Sequence, residues 1–214
     1  MNPNIVAIKW SPQIAYAVGL IVTDGNLSSD GRHFDFTSKD VELVKIFKRC
    51  LNINNKIGLK SAGKSNKKYH RVQFGNSCFY RQLLDIGITP NKTKTIGFLQ
   101  IPDEFFFDFL RGHFDGDGSC YGYWDKRWKS SFMFYMKFVS ASKSHIYWLQ
   151  AKIRATLGIN GAVGKAGFIY QLSYAKKESR VLSAKMYYGG EIPCLKRKFE
   201  KLQKLLEIDK NPGE

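Results

Sequence analysis

The order of apolar and polar residues predicts alternating helices and short paired strands along the chain. The first helix begins at Ser11-Pro12, a capping residue followed by a proline at the first helical position, and continues through QIAYAVGLIVTDG. This segment is apolar on nearly every face, which is typical of a buried helix. Gly19 within it costs roughly 1 kcal/mol relative to alanine, so we expect it to let another backbone approach closely.

Strand and helix patterns alternate after this first helix. Two short strands around an Asp-Gly turn precede an amphipathic helix in KDVELVKIFKRCLN, a hairpin in KIGLKSAGKSNKKYHRVQFGN and a short helix in SCFYRQLLDIGI. The same order repeats from IPDEFFFDFLRGHFDGDG onward, and PCLKRKFEKLQKLLE follows as a final helix. The pattern predicts a tandem duplication with units over residues 1–100 and 101–214, led by helices over residues 11–25 and 102–118.

The two leading helices end in the same Asp-Gly dipeptide. Setting Asp24 on Asp117 also sets Gly19 on Gly112. If the units pair about a pseudo-twofold axis, the helices meet at their glycines and bring the two aspartates together. A single Asp-Gly pair merely ends many helices, but two copies in register favour a shared site. Neighbouring carboxylates are what Mg²⁺ binds, together with phosphate oxygens and water.

The net charge of the chain indicates that it binds a polyanionic partner. The chain has 34 lysines and arginines against 18 aspartates and glutamates, a net charge of +16. Nucleic acid is the usual partner that relieves such self-repulsion. The aromatic content argues against disorder, and the sequence has no apolar run long enough to span a membrane. Four scattered cysteines indicate reduced thiols in an intracellular protein.

At the two helix ends the sequence resembles the LAGLIDADG homing endonucleases, in the single-chain form that carries two copies of the motif. The matches are Gly19, Leu20, Ile21, Asp24 and Gly25 in AVGLIVTDG, and Leu110, Gly112, Asp115, Asp117 and Gly118 in LRGHFDGDG. The resemblance implies an α+β fold of two pseudo-symmetric αββαββα repeats. These would form a saddle of two antiparallel β-sheets, with the motif helices packed at the centre.

The resemblance also implies an activity. It predicts a monomeric, site-specific endonuclease that binds a long double-stranded DNA target in the major groove and hydrolyses both strands. The alternative is a non-cleaving member of the fold, either a maturase that binds intron RNA or a DNA-binding regulator. Both motif acids are present, which favours the nuclease.

The resemblance assigns roles to particular residues. Asp24 and Asp117 are the last acids of the two motifs and would hold Mg²⁺, with Mn²⁺ or Ca²⁺ able to occupy the same sites. Asp115 is expected to be structural. A lysine in each half is expected near the scissile phosphates, where a cation stabilises developing charge. The candidates are Lys92 or Lys94 in the first half and Lys196 or Lys198 in the second; we take Lys94 and Lys198 as the catalytic pair.

Strands with basic and polar residues on one face are suited to reading base edges in the major groove. The candidates for DNA contact in the first half are Arg32, His33, Lys60, Lys64, Lys67, Lys68, His70 and Arg71. Those in the second half are Lys126, Arg127, Lys129 and Lys137. Any one of these is also explained as an ordinary solvated surface residue.

One motif points elsewhere and is rejected. Residues 58–65 satisfy the P-loop pattern G-x-x-x-x-G-K-S. A P-loop needs a helix after the glycines, whose backbone amides hold the phosphate. The following NKKYHRVQF alternates like a strand, so the sequence favours a basic hairpin tip.

Overall fold

A computed structural model describes residues 8–62, 65–128 and 130–210. The first half contains α1 (Pro12–Asp24), β1 (Gly25–Leu27), β2 (His33–Ser38), α2 (Val41–Cys50), β3 (Gly58–Ala62), β4 (Ser65–Gly75) and α3 (Ser77–Ile86). The second half contains α4 (Phe106–Asp117), β5 (Ser119–Trp124), β6 (Phe132–Ser140), α5 (Lys143–Leu157), β7 (Ala162–Ala166), β8 (Ile169–Tyr174), α6 (Lys176–Met186) and α7 (Lys196–Lys210). Short 3₁₀ turns cover Lys92–Lys94 and Asp103–Phe105.

The strands form two four-stranded sheets with the same topology. The first has the order β1-β2-β4-β3 and the second β5-β6-β8-β7, and every pairing is antiparallel. The predicted α+β fold of two antiparallel sheets, each preceded by a motif helix, is confirmed. Among the described residues, α7 has no counterpart in the first half.

The two motif helices pack against each other through backbone contacts. A Cβ atom placed on Gly19 would lie 2.1 Å from the carbonyl oxygen of Phe109. One placed on Gly112 would lie 2.0 Å from the carbonyl oxygen of Tyr16. Since real Cβ atoms do not approach so closely, the helices meet at positions that only glycine fits.

The second motif helix is shorter than residues 102–118. Pro102 is extended, with φ −58° and ψ 140°, and the chain then makes a 3₁₀ turn in which the Phe105 amide donates to the Pro102 carbonyl at 3.1 Å. The α-helix starts only at Phe106, because in the preceding turn the amide bonds the carbonyl three residues before it and not four. The helix ends at Asp117, and Gly118 is extended.

The core of each half lies between one face of its sheet and the helices. Phe36 of β2 stacks on Phe47 of α2 with ring centroids 4.3 Å apart. In the second half, Phe114 of α4 packs on Phe138 of β6 at 5.7 Å. Antiparallel sheets commonly bury one face in this way and leave the other to solvent. Each half therefore keeps an open sheet face.

The structure also agrees with the absence of a P-loop and of a membrane-spanning helix from the described residues. β3 and β4 pair in antiparallel fashion, and residues 63 and 64 lie outside the described residues. A strand, and not a helix, thus follows the P-loop-like sequence. In the part of the chain that is described, no helix has the length and apolar character needed to cross a bilayer.

Candidate active site and nucleic-acid surface

The ends of α1 and α4 bring Asp24 and Asp117 together. Burial, followed by the negative charge of Asp117, raises the pKa of Asp24 to about 7. The loss of surrounding water also raises the pKa of the Asp117 carboxyl. Two carboxylates that disfavour each other's charge form a site that a bound cation would stabilise.

The chemistry of this pair fits a divalent metal. Carboxylate oxygens are the ligands that Mg²⁺ prefers, and it is commonly held by one or two carboxylates plus phosphate oxygens and water. Within the described residues, no group of three or more histidine, cysteine, aspartate or glutamate side chains could enclose an ion by itself. Asp24 and Asp117 would therefore hold a metal that shares its remaining ligands with a phosphate-bearing substrate.

The first helix end has a lysine beside it, which is Lys92 and not Lys94. The Lys92 side chain is 6% exposed, and its ammonium group donates to the carbonyl oxygen of Gly25. Burial lowers the pKa of Lys92 to about 8, against the opposing attraction of Asp24 and Asp117. Lys94 ends the same 3₁₀ turn, is exposed, and does not line the cleft that contains Asp24 and Lys92.

The second helix end has Lys198 from α7. Its ammonium group donates to the carbonyl oxygens of Phe114 and Gly118, both at 2.7 Å, and of Gly116 at 3.2 Å. Burial lowers the pKa of Lys198 to about 8, although Asp115 and Asp117 oppose that shift. The other candidate, Lys196, is exposed and pairs with Glu200 at 3.7 Å. Each helix end is thus closed by one partly desolvated lysine.

Asp115 belongs to the helix packing and not to the acidic pair. It is 1% exposed, and its carboxylate accepts from the Tyr16 hydroxyl at 2.7 Å and from the Leu195 amide at 2.6 Å. Burial raises the pKa of Asp115 to about 6, while these two hydrogen bonds oppose the rise. The contacts join α1, α4 and the start of α7, which is the structural role expected of this residue.

The open face of the first sheet carries several of the predicted DNA-binding residues. The strand register sets Thr37 opposite Arg71 and Asp35 opposite Gln73, so these side chains share a face. Lys60 of β3 lies on that face too, with its ammonium group 3.6 Å from the Asp35 carboxylate.

The remaining candidates of the first half are distributed differently. His33 is on the open face and pairs with Asp30, and Arg32 is exposed just before β2. The register sets Lys68 opposite Ser61 and His70 opposite Leu59, which puts Lys68 and His70 on the other face of the hairpin. Lys67 is exposed beside a register shift in the same hairpin, and Lys64 lies outside the described residues.

The candidates of the second half lie mostly at a hairpin tip. Lys126 and Arg127 are exposed in the loop between β5 and β6, where Arg127 pairs with Asp125 at 3.5 Å. Lys137 lies on the open face of β6, opposite Ser119. Lys129 lies outside the described residues.

Sequence reasoning missed the uncharged and acidic groups of the first open face. Asn26 and Gln73 lie on this face beside Asp35. A search for basic residues passes over them, because amides and carboxylates carry no positive charge. The two-residue period of β4, in which Gln73 shares the face of Arg71, is the signal that would have found Gln73.

The comparisons with known proteins support the fold. No protein-family model and no curated protein matches the chain. Among solved structures, the homing endonuclease I-WcaI bound to its DNA recognition sequence is similar with a TM-score of 0.64 and 14% identity, over 94% of each chain. The meganuclease I-AabMI bound to uncleaved DNA has a TM-score of 0.64 and 12% identity, over 94% of this chain and 91% of that one.

A protein that is not named as an endonuclease has a similar fold. Full-length DUF199/WhiA from Thermatoga maritima is similar with a TM-score of 0.58 and 14% identity, over 96% of this chain. This chain spans 64% of the length of that protein. At such identities the likeness concerns structure alone, and the chain has a LAGLIDADG-like fold.

Proposed function

We propose that the protein is a site-specific endonuclease that binds double-stranded DNA across its two open sheet faces and cuts both strands at the joined helix ends. The observation that carries this proposal is the convergence of Asp24, Asp117, Lys92 and Lys198 where both sheets begin. β1 starts directly after Asp24, at Gly25, and β5 starts directly after Gly118, at Ser119. A duplex that contacts both sheets therefore passes the acidic pair.

The chain's own groups provide a setting for phosphodiester hydrolysis. Asp24 and Asp117 would hold Mg²⁺, which supplies Lewis-acid polarisation of the phosphate and a hydroxide source at neutral pH. Lys92 and Lys198 bring positive charge beside the acids, and among the described residues neither lysine forms an ion pair that neutralises it. Their hydrogen bonds to helix-end carbonyls hold these ammonium groups in place, as a preorganised site for developing negative charge requires.

A second candidate is a DNA-binding protein of the same fold that does not cut, or a maturase that binds intron RNA. The similarity to WhiA favours the first of these, since it shows that the fold is not restricted to proteins named as nucleases. The acidic pair separates the two candidates, because a protein that only binds DNA has no need of two repelling carboxylates beside the duplex.

Selection from a randomised duplex library tests the proposal. The protein is first used to enrich bound duplexes in EDTA, and the enriched pool is then incubated with Mg²⁺ and sequenced at its cut ends. We expect discrete double-strand cuts within the enriched sequence, none in EDTA and none with the Asp24→Asn/Asp117→Asn double variant. Enrichment without cutting would support the non-cleaving candidate, and binding of structured intron RNA in preference to duplex would support the maturase.

A further inference from the structure

The two open sheet faces have the same strand order but different chemistry. In the first sheet, the Asp35 carboxylate accepts from Asn26 at 3.1 Å and from the Thr37 hydroxyl at 3.2 Å. Lys60, Arg71 and Gln73 surround this group on the same face. The first face therefore offers hydrogen-bond donors and acceptors of every kind that base edges require.

Aromatic and apolar side chains predominate on the open face of the second sheet, where Lys137 donates to Gln171 at 3.5 Å. The register sets Tyr121 opposite Tyr135 and Tyr123 opposite Met133. By strand alternation the other members of this face are Ser119, Lys137, Val139, Ala162, Gly164, Ala166, Ile169, Gln171 and Ser173. Among these described strand residues Lys137 is the only charged one, so phosphate attraction does not explain the composition of this face.

The three tyrosines of this second face lie side by side with nearly parallel rings. Tyr121 and Tyr135 stack with centroids 5.4 Å apart and planes at 16°, and Tyr123 and Tyr135 stack at 6.2 Å and 10°. The Lys137 ammonium group lies 4.9 Å from the Tyr121 ring centroid. Single-stranded nucleic acid binds such sheets by stacking bases on free aromatic faces. Because Tyr135 lies between Tyr121 and Tyr123, and Lys137 lies over Tyr121, these rings offer little open face for a base to stack on, which favours a duplex over a single strand on this sheet.

On a duplex, the major groove offers one apolar group, the C5 methyl of thymine. Ring edges, Met133, Val139 and Ile169 match that methyl by excluding water from it. A·T and G·C pairs both present hydrogen-bonding groups in the major groove, so the methyl is the group by which an apolar contact distinguishes them. We propose that the second sheet selects a thymine-rich half-site through methyl contacts, while the first sheet selects its half-site through hydrogen bonds. This inference rests on the proposed binding of double-stranded DNA.

Replacing thymine by deoxyuridine tests the inference, because it removes the methyl and keeps every hydrogen-bonding group. The enriched duplex is synthesised with deoxyuridine in one half-site at a time, and affinities are measured in EDTA so that cutting is not required. The half-site of the first sheet is identified as the one whose base preferences are relaxed by Arg71→Ala. We expect affinity to fall about fourfold for each methyl removed from the other half-site, and less than twofold in total for the first.

Two variants sharpen the test. Met133→Ala is expected to reduce the effect of deoxyuridine in the second half-site, because it removes an apolar contact. Glu207→Gln on α7, which packs on the opposite side of this sheet, is the control and should preserve that effect. Equal deoxyuridine effects in both half-sites, or tighter binding of the corresponding single strand, would overturn the inference while duplex binding itself stands. Absence of any sequence-selective duplex binding would instead overturn the proposed function, and the inference with it.

Discussion

The two motif helices are copies of one element with different interiors. With Gly19 set on Gly112, four buried apolar residues of α1 align with four buried polar residues of α4. The aligned pairs are Ala15 with Asp108, Val18 with Arg111, Leu20 with His113, and Val22 with Asp115. The first helix packs mainly through apolar side chains, with the Tyr16 hydroxyl donating to Asp115 across the helix pair. The second helix also contains a buried ion pair and several buried hydrogen bonds of its own.

The buried polar residues of α4 contact the segment that leads to α7, the helix without a counterpart in the first half. Arg111 donates to the carbonyl oxygens of Met186 at 2.5 Å and Pro193 at 2.8 Å, and to the Asp108 carboxylate at 2.6 Å. Tyr188 donates to that same carboxylate at 2.8 Å. These bonds fix the connection between α6 and α7, and α7 in turn provides Lys198. The buried charges of α4 thus hold one of the site lysines in position, a task that α1 does not have.

The largest effect is expected where the two helices are alike. Gly19→Ala and Gly112→Ala each place a methyl group about 2 Å from a backbone carbonyl of the partner helix. Overpacking against backbone cannot be relieved by a rotamer change, so we expect each to lower the free energy of unfolding by about 3 kcal/mol or more. Urea denaturation measures this loss. Gly164→Ala is the matched control, since a Cβ there meets nothing within 4 Å; equal effects at all three glycines would contradict the close packing.

A loss of stability of comparable size is expected from a change that separates the two helices. Arg111→Val gives α4 the residue that α1 has at the aligned position, but it leaves the Asp108 charge buried without its partner. Loss of one member of a buried ion pair costs about 3 to 5 kcal/mol. Adding Asp108→Ala removes that charge, so the double variant should be more stable than Arg111→Val alone in the same urea experiment. If the double variant loses as much as the two single changes combined, the pair is not coupled.

A pH-dependent effect also separates the helices. His113 is fully buried and stacks on His145 with centroids 5.2 Å apart. Burial, then the charge of His145, lowers the pKa of His113 well below its usual value, and Lys198 acts in the same direction. Below about pH 6.5 His113 is protonated in the unfolded chain but stays neutral in the folded chain. Acidification therefore lowers the free energy of unfolding, by about 2 kcal/mol at pH 5 for this residue.

Replacing His113 by the aligned residue of α1 should remove this loss. His113→Leu is expected to lose about 2 kcal/mol less than wild type between pH 7 and pH 5, in urea denaturation series at each pH. A remaining slope is expected from His145, whose pKa burial lowers to about 4. Identical slopes for variant and wild type would show that His113 does not contribute to acid sensitivity.

A further prediction concerns the rate of cleavage and the lysines of the two helix ends. Lys92→Met keeps the length of the side chain but removes the ammonium group beside Asp24. We expect cleavage to slow about a hundredfold, the lower end of the loss that follows removal of one charge-stabilising group, and Lys198→Met to act similarly. Single-turnover rates at saturating enzyme measure this. Lys94→Met should slow cleavage much less than Lys92→Met, and the reverse order would return the catalytic role to Lys94.

Local sequence patterns predict much of the architecture. The two Asp-Gly ends, the glycines in register and the repeated order of strands and helices predict paired motif helices and two antiparallel sheets. These features are local or repeat themselves, so one sequence contains enough signal. Charge and motif then point to the acidic ends, because Asp24 and Asp117 fall at matching positions.

The details that the sequence does not contain depend on irregular backbone and on distant contacts. Lys92 and Lys94 are two residues apart in one 3₁₀ turn, and only the course of that turn decides which is buried against Gly25. Lys68 and His70 turn away from the open face because of strand register, which alternation predicts only once the start of the strand is known. From sequence alone, Arg111 resembles an ordinary exposed i,i+3 partner of Asp108. In the structure the segment after α6 covers both residues, and this distant contact cannot be read from local sequence.

Plasmid cleavage by single-acid variants tests the central claim, that Asp24 and Asp117 form one metal-dependent site, most directly. Supercoiled plasmid containing the enriched target is incubated with Mg²⁺ and excess wild type, Asp24→Asn, Asp117→Asn, or Glu207→Gln as an exposed-acid control on α7. Wild type and Glu207→Gln should linearise the plasmid, while both aspartate variants bind the target in EDTA at least as tightly as wild type and yield no linear product. Double-strand cleavage by either aspartate variant would contradict the shared site.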